Sequence, residues 1–318
     1  MFDNNDFKYS IYIRTLGKGG EKYMRLLHSI DAQTVRPEEV VVVLPVGYEP
    51  PKEKLGYERF AFSDKGMVRQ RIFAINDART SYVLLLDDDV EFESRYVEKI
   101  FTTMLNAEAQ CCIPILKDNS LRSSLVRRLA ESFVGVATYK DTHDKWYIRV
   151  NRCGGLVLNS NMKPDVQYYS QTGHGSNCFA ETKTLRDIHF DEELWLEDSG
   201  YALPEDQVMF YKIYMTGYNI AVCQNVYFCH LNAASTNDGR RYLKVAQAKV
   251  SNYLIFWYRF IYSGSKGFAR LLNIVAICHR LFWEGALSIM KNHDIATVKS
   301  ICTGLKYGLK YISNKGKR

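Results

Sequence analysis

The feature that most constrains the fold is an apolar run, residues 82–86, that leads directly into the consecutive carboxylates Asp87, Asp88 and Asp89. An aliphatic run bounded by polar residues predicts a buried strand. Unpaired anions are costly to bury, so these carboxylates are expected to meet a cation or to cap a following helix. Because ligands bind at the carboxyl ends of strands in open α/β sheets, one interpretation is a site for Mg²⁺ or Mn²⁺ and a diphosphate. The other is a solvated acidic turn with Asp89 as a helix N-cap.

The composition is that of a globular chain. Hydrophobic residues make up 47% and charged residues 24% of the 318 positions, which excludes intrinsic disorder. The acidic stretch 1–6 lacks the apolar core of a secretory signal, and no window holds about eighteen uninterrupted apolar residues, so neither a signal nor a membrane span is predicted. The cysteines form no Cys-x-x-Cys pair, which indicates reduced thiols and a cytoplasmic location. Cys223, Cys229 and His230 lack a fourth ligand at zinc spacing.

The formal net charge of +7 is unevenly distributed. Counting Lys and Arg against Asp and Glu gives 15 to 3, or +12, for residues 236–318, and 27 to 32, or −5, for residues 1–235. The asymmetry predicts two regions. One is a nearly neutral domain, residues 1–235, and the other is a basic helical region, residues 236–318, with affinity for an anionic surface.

Strand-like and helix-like patterns alternate in the first ninety residues. Strands are predicted at residues 9–15, 40–44 and 60–62 and at the central run, with helices at 21–32 and 66–78. This order predicts a doubly wound α/β fold. In the second helix Met67 is expected to point inward, and Arg69 and Arg71 to lie on the polar face. No Gly-x-Gly-x-x-Gly and no P-loop occur, which argues against dinucleotide binding and ATP hydrolysis.

The downstream patterns are shorter. A helix is predicted at residues 97–105 and a hairpin at 146–150 and 155–158, while residues 121–136 are ambiguous. A further helix, residues 208–216, is opened by Glu205 and Asp206 and ended by Gly217.

Several motifs follow one another in a characteristic order along residues 8–232. They are Ile13-Arg14-Thr15-Leu16, Ser29-Ile30-Asp31-Ala32-Gln33-Thr34, the strand 40–44, the segment 66–76, Asp87-Asp88-Asp89, Phe190-Asp191-Glu192, Glu205-Asp206, Gly217-Tyr218 and His230. In this order they resemble an inverting, family 2-type glycosyltransferase. The resemblance implies a GT-A-like, doubly wound mixed sheet flanked by helices, here with a C-terminal helical extension. The chain departs from the family at Leu44-Pro45, where an aspartate usually contacts the nucleotide base.

The resemblance implies that a sugar is displaced directly from a nucleoside diphosphate, with Mn²⁺ or Mg²⁺ bound to the diphosphate oxygens. Asp89 is the expected metal ligand, and Asp87 faces the metal or the ribose. Asp88 belongs to the same nucleotide-binding motif, although adjacent side chains on an extended backbone diverge. His230 is expected to complete the metal shell, with a purely structural role as the alternative.

The same resemblance points to a catalytic base. A sugar hydroxyl attacks efficiently only when a positioned base removes its proton. Asp206, in the pair with Glu205, fits that role. The alternative is helix capping, because carboxylates at a helix start are stabilised by the helix dipole. Both roles are compatible.

Further candidates for donor binding lie at predicted strand ends and in a glycine-rich loop. Arg14 and Thr15 are expected to contact the nucleotide, and Asp64 or Arg69 to contribute after the third strand. Gly175 lies in the loop 173–177, where glycine permits close approach of the backbone to the donor or acceptor. The alternatives are solvated strand and helix surfaces and a mobile loop.

The last helix-like pattern is amphipathic and basic. One face holds apolar side chains, with three lysines, Lys299, Lys306 and Lys310, about 100° away. The apolar positions are Val298, Ile301, Cys302, Leu305, Leu309 and Ile312. Such a helix fits an anionic membrane surface, and the alternative is packing on the preceding domain.

The residues and the resemblance together predict a metal-dependent glycosyltransferase that uses a nucleotide-sugar donor and a saccharide or lipid-linked acceptor. The resemblance implies that the reaction is inverting and belongs to bacterial surface polysaccharide synthesis at the inner face of the cell membrane. One alternative is a sugar-phosphate nucleotidyltransferase, for which residues 17–20 are only a weak glycine-rich loop. Another is a non-catalytic sugar-nucleotide-binding scaffold. The basic tail lacks a recognised nucleic-acid motif, so no nucleic acid partner is expected.

Overall fold

A mixed sheet organises the chain in the computed structural model, which describes residues 7–115, 145–159, 161–231, 241–292 and 295–315. The strands are β1 (Tyr9–Arg14), β2 (Glu39–Pro45), β3 (Arg59–Ser63), β4 (Tyr82–Asp87), β5 (Val90–Phe92), β6 (Cys111–Pro114), β7 (Ile148–Val150), β8 (Leu156–Leu158), β9 (Tyr168–Tyr169), β10 (Asn177–Glu181), β11 (Ile220–Cys223) and β12 (Phe228–His230). The α-helices are α1 (Glu21–Asp31), α2 (Met67–Asp77), α3 (Tyr96–Asn106), α4 (Thr182–Asp187), α5 (Glu205–Met215), α6 (Arg241–Phe256), α7 (Gly267–Asn292) and α8 (Ile295–Lys315). A 3₁₀ helix (Phe190–Leu196) and a π-helical segment (Trp257–Tyr262) join them.

The sheet changes winding direction between β1 and β4. Its spatial order among the described strands is β3-β2-β1-β4-β10-β6-β11-β9, with β1 parallel to both β2 and β4. The chain therefore places β2 and β3 on one side of β1 and then returns to place β4 on the other side. Arg14 of β1 and Asp87 of β4 are opposite each other in this pairing. Such a switch point is where open α/β sheets bind ligands. Because β10 runs antiparallel to β4 and β6, the sheet is mixed, and the predicted fold class is confirmed.

Helices cover both faces of the sheet, which explains the continuous apolar strands. Ile11 and Ile13 face a core built with α1 and α3, whereas Tyr12 faces a second core built with α2 and α5. Strands with two buried faces read as apolar runs rather than as alternating patterns. The central run, residues 83–86, divides between the same two cores.

Two residues of helix α2, Met67 and Arg71, lie on a different side of the helix from the one predicted. Met67 is exposed, and Arg71, predicted on the polar face, is only 2% exposed. The expectation was wrong for both residues. Arg71 can be buried because the carboxylate of Glu205 neutralises its guanidinium group. Val68 and Ile75 lie three residues before and four after Arg71 on the same buried face.

Two small sheets complete the domain. The predicted hairpin is confirmed, since β7 and β8 pair antiparallel. β5 and β12 also pair antiparallel, and His230 lies opposite Val90 in their register. This pairing brings His230 to the turn that follows β4.

Gly217 ends α5 with φ of 92°, as predicted.

The C-terminal helices pack on the sheet-containing part of the chain. Ile255 and Phe256 of α6 belong to the same core as Tyr12, and α8 lies along α6. A Cβ added at Gly304 would stand 2.5 Å from the backbone oxygen of Gln247, so glycine is needed for this close approach. Packing therefore accounts for one side of these helices. The predicted boundary between residues 235 and 236 lies outside the described residues, as does the ambiguous segment 121–136.

Candidate metal and catalytic site

The site is assembled at the switch point of the sheet. β1 supplies Arg14 at its end, with Thr15 directly after it, and β4 supplies Asp87. α5 begins at Glu205, and β12 ends at His230. Residues far apart in sequence thus meet at one edge of the sheet.

Asp87, Asp89 and His230 form a cluster that fits a divalent metal ion. One potential ligand atom from each residue lies within 4.8 Å of the others. The Nε2 atom of His230 donates to the Oδ1 atom of Asp89 at 2.9 Å, and this hydrogen bond raises the pKa of His230, although burial opposes it. A metal ion would replace that proton, because metal binding requires neutral imidazole. Two carboxylates and one imidazole suit Mn²⁺ or Mg²⁺ when substrate oxygens and waters complete the shell.

A buried chain of ion pairs holds one side of the cluster. The Nε atom of Arg14 donates to Asp87 Oδ1 at 2.5 Å, and the same guanidinium group also donates to Glu205. Arg71 donates from Nε to Glu205 Oε2 at 2.8 Å, and its Nη2 donates to the backbone oxygen of Gly175. Burial acts to raise the pKa of Glu205, but the charges of Arg14 and Arg71 outweigh it and lower the pKa. Glu205 is therefore an anion that fixes two arginines.

Asp88 points away from the cluster, as the divergence of adjacent side chains predicts. Its Oδ2 atom accepts a hydrogen bond of 2.5 Å from Thr15 Oγ1, which in turn accepts one from the Gly17 amide at 3.0 Å. Burial raises the pKa of Asp88, and the hydrogen bond from Thr15 opposes this shift. Thr15 and Asp88 thus hold the loop after β1 against the turn after β4.

The site as a whole is negatively charged. Five carboxylates and two guanidinium groups belong to the site and its surrounding loops, which leaves three negative charges when the carboxylates are ionised and the histidines neutral. The carboxylates are Asp87, Asp88, Asp89, Glu205 and Asp206. An excess of this size in a partly buried site favours binding of a divalent cation.

Asp206 stands in the first turn of α5 with a raised pKa. Burial is the largest cause, the negative charge of Glu205 adds to it, and His174 opposes it. The Oδ2 atom of Asp206 accepts a hydrogen bond from the Gly175 amide at 3.2 Å, and its Oδ1 atom accepts one from the Gln207 amide at 2.8 Å. The Asp206 carboxylate is therefore held between the first turn of α5 and the glycine-rich loop, and it makes no N-cap hydrogen bond, since the N-cap residue is Pro204. A carboxylate with a raised pKa is suited to accept a proton.

The pKa of His174 responds to the charges of both Asp206 and His230. Desolvation by the surrounding protein lowers the pKa of His174, the charge of Asp206 opposes this, and His230 lowers it further. Its imidazole therefore interacts with the candidate base and with the candidate metal ligand. The glycine-rich loop around His174 was apparent in the sequence, but no role was predicted for the histidine side chain, because no spacing rule identifies it.

Close packing explains Gly175. A Cβ added there would lie 2.7 Å from the Cβ of Asp206 and 2.9 Å from Arg71 Nη2. Arg71 itself was missed, although its i−3 and i+4 neighbours, Val68 and Ile75, are apolar and would have indicated an inward position.

Asp64 lies in the loop between β3 and α2, and Arg69 lies in the first turn of α2. They pair with each other at 3.1 Å, and Arg69 also pairs with Glu197 at 3.2 Å. The Glu197 carboxylate accepts a hydrogen bond from the amide of Val68 at the start of α2. Both residues are more exposed than Arg14. The roles assigned to these residues, and to those in the cluster, stay predictions.

No family model matches the sequence, and no curated protein matches it. Among solved structures, the chain is similar to a crystal structure of GalNAc-T7 with UDP, GalNAc and Mn²⁺. The two are 16% identical, the match covers 92% of this chain and 59% of that chain, and the TM-score is 0.49. This chain therefore spans less than two thirds of that protein's length.

Proposed function

We propose that this protein is a metal-dependent glycosyltransferase that moves a sugar from a nucleotide-sugar donor to a hydroxyl group of a saccharide acceptor. The observation that carries the proposal is the cluster of Asp87, Asp89 and His230, whose potential ligand atoms lie within 4.8 Å of one another at the switch point of the sheet. A divalent ion bound there would neutralise the charge that develops on the departing diphosphate. The motif order in the sequence supports the same reaction class.

In this proposal Asp206 is the catalytic base. It accepts the proton of the acceptor hydroxyl while that oxygen attacks the anomeric carbon. The bond between the anomeric carbon and the diphosphate oxygen breaks, and the nucleoside diphosphate leaves with the bonding electrons. The proton then passes from Asp206 to solvent, and the single displacement inverts the anomeric configuration. The raised pKa of Asp206 supports this role, because a base works best with a pKa near the working pH.

Other residues of the site hold these groups in place. Glu205, fixed between Arg14 and Arg71, positions the start of α5 and so the carboxylate of Asp206. Arg14 also orients Asp87. On the donor side, the candidates for contacts to the nucleotide are Thr15, Asp88 and the exposed pair of Asp64 and Arg69.

The biological setting is also a proposal and follows from the family resemblance. The acceptor is a lipid-linked saccharide in bacterial surface polysaccharide synthesis. The reaction takes place at the cytoplasmic face of the membrane. Within the described helices, none is both long and apolar enough to cross a bilayer.

The proposal is tested by measuring nucleoside diphosphate release from a panel of nucleotide sugars with Mn²⁺, Mg²⁺ or EDTA. We expect release from one donor, its loss in EDTA, and a large decrease in Asp89→Asn and in Asp206→Asn. Asp31→Asn is the control, because this aspartate lies outside the site and pairs with Arg36 on the surface. Calorimetry with the same donor separates binding from chemistry. Asp206→Asn should still bind the donor, whereas Asp89→Asn should lose the metal-dependent part of binding.

Other outcomes would reject the proposal. Donor binding without release, in the presence of simple saccharides and lipid extracts as acceptors, would indicate a non-catalytic scaffold. Pyrophosphate release from a nucleoside triphosphate and a sugar phosphate would indicate a nucleotidyltransferase. Release that neither substitution changes would reject the roles of Asp89 and Asp206.

A further inference from the structure

Helix α7 exposes an apolar stripe on the side that does not pack on the protein. Its members follow one another at spacings of three, four and seven residues, and the last of them is 67% exposed. They are Phe268, Leu271, Val275 and Phe282. In the first half of the helix the opposite side packs inward through Asn273, Ala276 and Ile277, whereas in the second half Trp283, Leu287 and Met290 are exposed as well. A stripe of large apolar residues on one exposed helix face is uncommon on a surface that meets only water.

Helix α8 carries a second stripe. Its buried side includes Gly304 and Gly308, which approach the backbone of α6, and Tyr311, which accepts a hydrogen bond from Arg259 at 3.0 Å. The exposed stripe follows the heptad spacing of three and four residues. It consists of Ile295, Val298, Cys302, Leu305 and Leu309.

The two stripes lie on the same side of the helix pair. A Cβ at Gly285 of α7 would stand 3.9 Å from Ile301 of α8, and these residues lie at similar distances in sequence from the break between the helices, as in an antiparallel pair. Successive residues are about 100° apart around a helix axis, so the centre of each stripe lies about 60–80° around its own helix from this contact. In both helices the stripe lies on the side of the contact that faces away from α6. The stripes therefore form one apolar surface, which we call the C-terminal apolar face.

Basic side chains border this face. Lys299, Lys306 and Lys310 are exposed along α8, about 80° around the helix from its stripe. Among the described side chains of α7 and α8, the one carboxylate is Glu284, which pairs with Lys249 of α6 at 3.6 Å. The border therefore attracts anions and is poorly matched to a second copy of the same face, which would bring like charges together.

We propose that the C-terminal apolar face binds the surface of an anionic lipid bilayer. The helices lie in the interface, with Phe282 and Leu309 among the acyl chains and the lysines at the phosphate groups. Burial of the apolar stripes and attraction of the lysines to anionic headgroups both stabilise this orientation. The inference does not depend on the proposed reaction, because it uses none of the residues of the candidate site.

The test is co-sedimentation of the full chain with phosphatidylcholine vesicles, prepared with and without phosphatidylglycerol. We expect binding to the anionic vesicles, weakened by high salt, and little binding to the neutral ones. Replacing Lys299, Lys306 and Lys310 with Gln should weaken binding by about fivefold for each lysine. The control replaces three exposed lysines of the sheet-containing part and should leave binding unchanged. These control residues are Lys8, Lys52 and Lys163.

The apolar contribution is tested separately. Phe282→Ser with Leu309→Ser should abolish binding to anionic vesicles while leaving the thermal unfolding midpoint unchanged, because both side chains are exposed. Leu105→Ser with Met215→Ser is the matched control, since these apolar side chains are exposed on other helices. Equal binding by the two double variants would overturn the proposal. So would absence of binding to anionic vesicles at low salt, or a dimer in light scattering that the stripe variant dissociates.

Discussion

Replacing Arg71 with Met tests whether the buried ion-pair chain holds the site together. Arg71 is 2% exposed, and its Nε atom donates to Glu205 at 2.8 Å. Methionine fills a similar space but leaves Glu205 with less neutralising charge. Removing one partner of a buried ion pair costs about 3–5 kcal/mol. Because Arg14 still pairs with Glu205, we expect a loss at the low end, about 3 kcal/mol in the free energy of unfolding.

The assay is urea-induced unfolding at neutral pH, followed by circular dichroism. The matched control is Arg69→Met, in the same helix. Arg69 is 41% exposed, and its ion pairs with Asp64 and Glu197 are expected to contribute at most about 1 kcal/mol each. Equal losses in the two variants would refute the reasoning, since burial is what distinguishes the two arginines.

The pH dependence of this loss gives a second check. The pKa of Glu205 is lowered in the folded protein, so its contribution is present above its ordinary pKa of about 4.3 and is lost as the pH falls through the folded-state value. Without Arg71 that pKa is less depressed. The difference between wild type and Arg71→Met should therefore be largest near neutral pH and shrink in acid. A difference that is constant with pH would show that lost packing, not charge, causes the effect.

Three further predictions concern close packing and proton transfer. Gly175→Ala should lower kcat about a hundredfold without changing the circular dichroism spectrum, because the new Cβ would displace Asp206. Gly304→Ala should cost about 1–3 kcal/mol in urea unfolding, because its Cβ would meet Gln247, whereas Gly264→Ala, with nothing within 4 Å, should not. In a pH profile of kcat/KM, activity should fall in acid through a pKa above the ordinary aspartate value of about 3.9, and a limb at or below it would contradict Asp206 as the base.

The sequence by itself determined the fold class and much of the composition of the candidate site. The apolar run before Asp87 predicted the central strand, and the alternation of patterns predicted the doubly wound sheet. These features can be predicted because a strand that is buried on both faces is a continuous run of apolar residues in the sequence. The motif order also selected Asp89, Asp206 and His230, which the structure places at one edge of the sheet.

Only the tertiary structure decided how those residues are connected. Arg71 and Glu205 are 134 positions apart, and their ion pair turns an apparently polar helix position into a buried one. The charges of Asp206 and His230, which are 32 and 56 positions further along the chain, both shift the pKa of His174, and only the folded chain brings these groups together. The exposure of the C-terminal apolar face likewise depends on which side of α8 packs on α6. Local periodicity records which side of a helix is apolar, and the neighbours of Arg71 indicate an inward position. Its charged partner is 134 positions away in the chain, so the ion pair with Glu205 could not be predicted from the sequence.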